Sequence, residues 1–513
     1  MFLALQGPEP KGTIMLRAAA AFLSLILALP VSADAAHAGS SESRLSMADC
    51  AIPKQGENGP VAGETVAVRC GTFTVPENRT LRGGRTLALK VVVIPSRAER
   101  SATRAPIFYF SGGPGQAATE QAGWLAGSWH REEHDVVLVD LRGTGEGHAL
   151  DCPTGGSDED PQTYLRPFLS QGTGFAACRD ELSKRADLTQ YTTSIAMRDV
   201  DELRDALGYG QIDIEGGSYG TRAAMEYIRL FPNRVHAAVL YSLVPVENRA
   251  PLYHARAAQR AYDVMVGQCE ADPACRAAFP HLRTDATMIM KRLEARPALV
   301  SIAGPATKRP VEVTLTASGF ADALRVMLYG IESERRVPLL LSQALGGDFT
   351  PFAAAGLESN RGFSKAIRTG LLLSFTCAED TWRIRPEEVE PESSGSFLGA
   401  LRVRAQMAAC SVWPKGKVPA GYYRASVSKV PVLLVSGNLD PVTPPEWGEV
   451  ALRRFPNGVH VVAPGGTHTP TSPCIEGLAR KLYATGSTKG LDVGCVAKDP
   501  IPPFALPGSA AAK

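Results

Sequence analysis

The sequence predicts an α/β fold in which a mostly parallel, doubly wound sheet is interrupted by a large, mainly helical insertion. Short apolar, β-branched runs recur and end in turn residues, as is typical of strands buried on both faces. Helical patterns lie between these runs. The alternation stops after about residue 245 and returns near residue 430. At 513 residues the chain is long enough for one core with such an insertion or for two domains.

Six of the predicted strands are short apolar runs, and a seventh has the sequence IDIE at 212–215. They lie at 89–95, 107–110, 136–140, 212–215, 237–243, 430–437 and 459–464. The clearest helix is SIAMRDVDELRDALG, where Ile195, Val200, Leu203 and Leu207 share one face and Gly208 ends the helix. The insertion reads mainly as helices, with two β-like pieces near PALVSIAG and RPVEVTL.

We therefore divide the chain into four segments. They are a signal peptide (1–35), the first part of the core (36–248), a helical lid or cap (249–425) and the second part of the core (426–513).

Composition and charge exclude several classes of protein. With 44% apolar and 21% charged residues, the chain is globular in character and not disordered. A net charge of +2 gives no strong field for nucleic acids or acidic membranes, and no basic run is interleaved with aromatic residues. We expect no nucleic-acid partner.

The N-terminal stretch has the features of a secretory signal peptide. Lys11 and Arg17 precede an apolar run that ends in small residues, and cleavage after Ala33 or Ala35 fits the small-x-small rule. A membrane anchor is the alternative, but it needs about 20 apolar residues and Pro30 interrupts this run. We predict export to the periplasm or the medium, with no membrane attachment after signal cleavage.

Ten cysteines in an exported chain predict disulfide bonds. The sequence does not fix their connectivity, and we expect successive cysteines to pair. The expected pairs are Cys50–Cys70, Cys152–Cys178, Cys269–Cys275, Cys377–Cys410 and Cys474–Cys495. A metal site is disfavoured because no pair has CxxC spacing and no histidine cluster stands beside the cysteines. No metal or organic cofactor is expected.

The stretch GGSYG (216–220) matches the pattern G-x-S-x-G. A predicted strand precedes it and a helical pattern follows, which is the setting of a nucleophile elbow. Gly216 and Gly220 lack side chains and allow the close backbone approach that such a turn requires. The alternative is a glycine-rich turn without chemistry. We predict that Ser218 is the nucleophile.

A serine nucleophile needs a general base and an acid that orients it, and in this type of sheet they follow in the order Ser, acid, His. The strand at 430–437 leads into NLDPVTPP, and the strand at 459–464 leads into GGTHTP. An open α/β sheet binds its ligands at these strand ends. We predict that Asp440 orients the base and that His468 is the base.

The tetrahedral intermediate of such a reaction needs two backbone N–H donors. Tyr219, directly after the serine, is one candidate. The loop SGGPGQ after the strand IFYF offers Gly112 or Gly113 as the other. The alternative for this loop is an ordinary Pro-Gly turn.

Together these motifs resemble the prolyl/tripeptidyl aminopeptidase family of α/β-hydrolases, and most closely its secreted tripeptidyl aminopeptidase-like branch. SGGPG, DLRGTGEG, GGSYGT, GNLDPVTPP and GGTHTP follow one another within a resemblance that extends from about residue 70 to 495. The resemblance implies an α/β-hydrolase fold with a helical lid. It also implies a triad of Ser218, Asp440 and His468 that removes residues or short peptides from free N-termini.

Members of this family read the substrate ammonium with acidic groups on the lid. The resemblance therefore implies that Glu379 and Asp380, beside Cys377, bind the N-terminal amine. A solvated acidic turn is the alternative.

Two further polar positions have structural interpretations. Glu215, directly before the elbow, needs a partner if it is buried, and Arg222 is the candidate. Asp140 and Arg142 in DLRGTG are interpreted as a pair that shapes the loops near the site.

The leading hypothesis is an exported serine exopeptidase, tripeptidyl or prolyl aminopeptidase-like, that hydrolyses amide bonds near the free N-terminus of peptides. A carboxylic-ester hydrolase on the same triad is an alternative, because fold and triad do not separate amides from esters. A non-catalytic peptide-binding protein is a third. The residue preference and the number of residues released stay open. The sequence does not define the oligomeric state, for which we expect a monomer.

Overall fold

The computed structural model describes residues 44–56, 59–99, 104–153, 157–424 and 426–508. The predicted signal peptide and its cleavage site lie outside these residues.

A nine-stranded sheet forms the centre of the molecule, and a separate two-stranded sheet lies in the insertion. The strands are β1 (Leu45–Gly56), β2 (Gly59–Pro76), β3 (Thr86–Ile94), β4 (Ile107–Phe110), β5 (Val136–Val139), β6 (Ile212–Gly217), β7 (Val235–Tyr241), β8 (Ala298–Ala303), β9 (Pro310–Leu315), β10 (Val432–Gly437) and β11 (Gly458–Ala463). The central order is β1-β2-β3-β5-β4-β6-β7-β10-β11. The pairs from β5 to β11 are parallel, whereas β1–β2, β2–β3 and β3–β5 are antiparallel. The predicted fold class is confirmed.

Helices connect the parallel strands and build the insertion. They are α1 (Ala122–Gly127), α2 (Phe175–Ser183), α3 (Thr193–Ala206), α4 (Tyr219–Leu230), α5 (His254–Ala271), α6 (Pro273–Ala278), α7 (Leu282–Ala295), α8 (Ala317–Met327), α9 (Ile331–Leu345), α10 (Thr350–Ala366), α11 (Thr369–Glu379), α12 (Pro386–Ser393), α13 (Leu401–Ser411), α14 (Glu446–Leu452) and α15 (Pro473–Thr485). Helices α5 to α13 and the β8–β9 hairpin all lie between β7 and β10 in the chain, where the helical insertion was expected.

Both faces of the central sheet are covered by helices. Successive side chains of a strand point to opposite faces, so neighbouring residues of one strand enter different buried clusters. In β4, Phe108 packs in one buried cluster with Val200 and Leu203 of α3. Its neighbour Ile107 packs in another cluster with Leu478 of α15. This explains why the central strands read as continuous apolar runs and not as alternating ones.

Five disulfide bonds join the successive cysteines of the chain. They are Cys50–Cys70, Cys152–Cys178, Cys269–Cys275, Cys377–Cys410 and Cys474–Cys495. The fourth of them connects α11 to α13 within the insertion. Among the described residues, no helix has the length and apolar character needed to cross a lipid bilayer.

Candidate active site

Ser218 occupies the sharp turn between β6 and α4. Its backbone, with φ 56° and ψ −125°, lies in a region that residues with side chains rarely adopt. A Cβ at Gly220 would lie 2.0 Å from the carbonyl oxygen of Phe110, and one at Gly216 would lie 2.7 Å from that of Gly220. The Ser218 amide donates to the Tyr241 carbonyl at 2.9 Å. Both glycines are therefore required for the strand and the helix to meet at this angle.

Asp440 and His468 come together beside this turn, from the loops after β10 and β11. His468 Nδ1 lies 2.9 Å from Asp440 Oδ2. The fully buried carboxylate also accepts hydrogen bonds from the hydroxyls of Ser242 and Thr443 and from the amides of Val442 and Thr443. Burial would raise the pKa of Asp440, but the His468 charge and these hydrogen bonds outweigh it and hold the pKa below its ordinary value. Asp440 is thus ionised and fixed.

Ser218 and His468 line one cavity. The His468 amide donates to the Tyr329 carbonyl at 3.2 Å, and the two rings meet edge to face at 4.9 Å. Within the described residues no hydrogen bond from the Ser218 hydroxyl to His468 is formed. In enzymes of this kind that bond often tightens only in the complex with substrate. The structure therefore pairs the acid with the histidine and places the serine in the same cavity.

The three predicted oxyanion residues also line this cavity. Gly112 lies against the elbow, since a Cβ there would be 3.3 Å from the Cβ of Ser218. Gly113 has a φ of 107°, which favours glycine. Tyr219 is the first residue of α4, at the helix end that favours negative charge. Its hydroxyl is 2.8 Å from that of Thr193.

Glu379 and Asp380, at the end of α11, line the cavity. They are only 1% and 3% exposed, whereas a solvated turn would leave both side chains in contact with water. Glu379 accepts hydrogen bonds from the amide and hydroxyl of Thr193 and from the Tyr422 hydroxyl. Asp380 pairs with Arg222 at 2.6 Å. Burial, only partly offset by Arg222 and these hydrogen bonds, raises the pKa of Glu379 to about 7. The solvated-turn alternative is wrong.

The expected pairing of Glu215 with Arg222 is also wrong. Glu215 lies 3.0 Å from Nε2 of His130, whereas Arg222 binds Asp380. The reason is the alternation of side chains along β6: the Gly216 side faces α4, so Glu215 points to the other face of the sheet.

Asp140 and Arg142 do not pair with each other. Asp140 accepts from the amide and hydroxyl of Thr119, and Arg142 binds Asp199 through two hydrogen bonds of 2.7 and 2.9 Å. Each shapes the loops near the site, but through a separate partner.

Sequence reasoning missed several residues of the site. Ser242 and Thr443, which hold Asp440, lie in loops, and only Thr443 had a local signal, because Asp-Pro-Val-Thr is a sequence that favours a side-chain-stabilised turn. Arg325 and Arg402 reach the cavity from α8 and α13, and no local motif marks them. Within the described residues, no cluster of three or more His, Cys, Asp or Glu side chains could hold a metal ion.

Comparisons with known proteins agree with this architecture. A family model described as alpha/beta hydrolase fold matches residues 105–320. The chain has the α/β-hydrolase fold. A second model, described as TAP-like protein, matches residues 396–495, which include the segment with Asp440 and His468.

Curated relatives cover most of this chain. A tripeptidyl aminopeptidase of Streptomyces coelicolor is 23% identical over 464 residues, which are 83% of this chain and 83% of that protein. Serine protease Hip1 of Mycobacterium tuberculosis is 24% identical over 466 residues, 83% of this chain and 87% of that protein. Carboxylesterase B of M. tuberculosis is 25% identical over 474 residues, 84% and 87% of the two chains. The chain is accordingly a serine hydrolase.

Proposed function

We propose that this serine hydrolase is an exported exopeptidase that cleaves amide bonds near the free N-terminus of peptides. The observation that carries the proposal is that the buried carboxylates of Glu379 and Asp380 line the same cavity as Ser218 and His468. Similarity to relatives named tripeptidyl aminopeptidase and serine protease supports it.

The proposed amine subsite carries a negative charge on its buried carboxylates. Asp380 pairs with Arg222, and the charge of Arg383 also acts on it, whereas Glu379 has no ion pair among the described residues. An ionised Glu379 therefore leaves a negative charge in this wall. A substrate ammonium supplies the missing positive charge through charge-assisted hydrogen bonds. A peptide with a blocked N-terminus cannot do so.

In the proposed reaction His468 takes the proton of the Ser218 hydroxyl as its oxygen attacks the amide carbonyl. Asp440 stabilises the imidazolium through the 2.9 Å contact. The amides of Tyr219 and of Gly112 or Gly113 bind the oxyanion.

His468 then protonates the leaving amine, and the N-terminal fragment stays on Ser218 as an ester. Water, deprotonated by His468, attacks the ester carbonyl; the bond to the Ser218 oxygen then breaks, His468 returns the proton to that oxygen, and the fragment leaves as a carboxylic acid. Each residue of the triad returns to its starting state.

The disulfides support the exported location. Such bonds persist in oxidising compartments and are rare in the reducing cytosol. All ten cysteines of the chain are paired in the structure.

Ester hydrolysis is the second candidate. The cavity has an apolar part, formed by Phe363, Leu372 and Phe375, that suits an acyl chain, and one relative is named carboxylesterase B. The two candidates differ in whether the free amine matters.

The test compares tripeptide 7-amido-4-methylcoumarins with free and acetylated N-termini, alongside 4-nitrophenyl butanoate. We expect kcat/KM for the free amine to exceed that for the acetylated peptide by at least about tenfold, the lower end for a charged hydrogen bond. Equal values, or hydrolysis of the ester only, would refute the exopeptidase. Ser218→Ala should lose activity by at least about 10⁴-fold, whereas Ser411→Ala, an exposed serine of α13, should not.

A further inference from the structure

A second wall of the active-site cavity is cationic and has no part in the mechanism above. Arg402 of α13 and Arg325 of α8 both line the cavity and are 7% and 1% exposed. His254, at the start of α5, lines it too. This group, Arg402, Arg325 and His254, is called the cationic wall below.

Arg402 has no hydrogen-bond partner among the described residues. Its Nε and Nη1 atoms are buried and donate to none of them, although a guanidinium carries five N–H donors. One face of the group covers the Phe168 ring at 5.0 Å. Burial, together with the charge of Arg325, lowers the pKa of Arg402 to about 9, so it is still a cation at neutral pH.

The charges of this wall do not balance. Arg325 donates to the Tyr329 hydroxyl at 2.7 Å, and its Nε lies 3.7 Å from Asp322. Asp322 is also the carboxylate whose charge acts on Arg402. Two guanidinium groups therefore face one carboxylate, and one buried positive charge is left without a counter-charge among the described side chains.

A buried charge without a partner costs several kcal/mol in general, and a well-placed anion removes that cost. Burial and the charges of Arg402, Arg325 and His468 lower the pKa of His254 well below its usual value, so its ring is neutral. The buried Nδ1 atom of that ring also has no hydrogen-bond partner among the described residues, so it is a further polar group of the wall that a ligand could contact. The arrangement suits a carboxylate, which accepts two parallel hydrogen bonds from a guanidinium.

We propose that Arg402, with the charge of Arg325 beside it, forms a subsite that binds a carboxylate of the substrate. The proposal rests on the proposed function, in which Glu379 and Asp380 bind the ammonium at another part of the same cavity. The carboxylate has two sources: the side chain of an Asp or Glu residue, or the C-terminus of a short peptide. The cavity would then prefer peptides that carry both a free amine and a suitably placed carboxylate.

Two substrate series distinguish the sources. The first contains free-amine tripeptide coumarylamides with Glu or Gln at each position in turn. The second contains tetrapeptides with a free or an amidated C-terminus, and their cleavage is measured by the amino groups that it releases. In one series, kcat/KM for the carboxylate should exceed that for its amide by about 10- to 100-fold, as for hydrogen bonds to charged groups.

Variants on one helix assign the preference. Arg402→Gln should reduce the carboxylate-to-amide ratio to about 1, and Arg402→Lys, which keeps the charge, should retain part of it. Arg404→Gln is the matched control, because Arg404 lies on the same helix with 68% of its side chain exposed. Melting temperature and labelling of Ser218 by a fluorophosphonate report whether each variant is folded.

Ratios near 1 in both series of the wild-type protein would overturn the subsite, as would a ratio unchanged in folded Arg402→Gln. If no free-amine peptide is cleaved, the proposed function fails separately. The same comparison is then made with the 4-nitrophenyl monoester of glutarate and 4-nitrophenyl butanoate. A preference for the glutarate monoester that Arg402→Gln removes would support the subsite, and its absence would overturn it.

Discussion

Replacement of Glu379 by glutamine tests the amine subsite with little change in shape. The glutamine oxygen can still accept from the Thr193 amide. Its NH₂ group takes the place of the oxygen that now faces the hydroxyls of Thr193 and Tyr422, and both hydroxyls can turn to accept. The change removes one negative charge and leaves Asp380 neutralised by Arg222.

The expected loss follows from the hydrogen bond to a charged group, about 1.5–3 kcal/mol. At 1.36 kcal/mol for each factor of ten, kcat/KM for a free-amine substrate should fall by about 10- to 150-fold. Since the pKa of Glu379 is raised to about 7, protonation of Glu379 should produce the same loss in the wild-type enzyme as the pH falls through 7. The substrate amine loses its proton above its own pKa of about 8, so the preference should be greatest between these values.

The assay is the ratio of kcat/KM for a free-amine tripeptide to that for its acetylated form, measured from pH 5 to pH 9. Effects of pH on the catalytic steps that the two substrates share cancel in the ratio. The acid limb near pH 7 should disappear in Glu379→Gln and persist in Glu387→Gln, a change at an exposed residue of α12. A wild-type ratio that does not change with pH, or the same limb in Glu379→Gln, would refute the assignment.

Two further predictions concern the triad and the stability of the insertion. Asp440→Asn should lower kcat by about 10⁴-fold with the fold retained, because an amide cannot hold His468 in the required tautomer; circular dichroism and steady-state kinetics check this, and activity within tenfold of wild type would contradict it. Glu334 is fully buried, and its carboxylate lies 3.2 Å from Nε of Arg335 without forming a hydrogen bond; burial outweighs the Arg335 charge and raises the pKa of Glu334 from 4.5 to about 7. A carboxyl group whose pKa is higher in the folded than in the unfolded state stabilises the fold when it is protonated. This contribution to the free energy of unfolding, about 3 kcal/mol at 1.36 kcal/mol per pKa unit, is present below pH 4.5 and is lost as the pH rises through 7. Glu334→Gln should therefore raise the free energy of unfolding in urea at pH 8 but not at pH 4.5, and equal effects at the two pH values would exclude this origin.

Much of the central sheet could be predicted because buried parallel strands leave continuous apolar runs. The runs at 107–110 and 136–140, for example, coincide closely with β4 and β5. The long β1–β2 hairpin was not predicted. Its residues are largely exposed or partly buried, so they lack the apolar run that marked the inner strands.

The residues of the candidate site divide in the same way. Ser218 and His468 sit in glycine-rich turns directly after strands, so local sequence marks them. The partners of Glu215 and Arg222 could not be read from the sequence, because they depend on which face of β6 packs against α4 and on where α11 ends. Arg402 reaches the cavity only through the tertiary packing of α13 and the disulfide that joins it to α11, and no local motif marks either.

The contacts of Glu379 and Asp380 connect the insertion to the elbow. Arg222, on the helix that begins at the nucleophile, binds Asp380 at the end of α11, and Cys377 ties α11 to α13. On the proposed function, the distance between the ammonium site and Ser218 is then fixed by buried contacts and a covalent bond. An extended peptide covers about 3.3–3.6 Å per residue, so a fixed distance admits only one number of residues between the amine and the cleaved bond. The number of residues released would therefore be a property of this rigid connection and not of loop closure around each substrate.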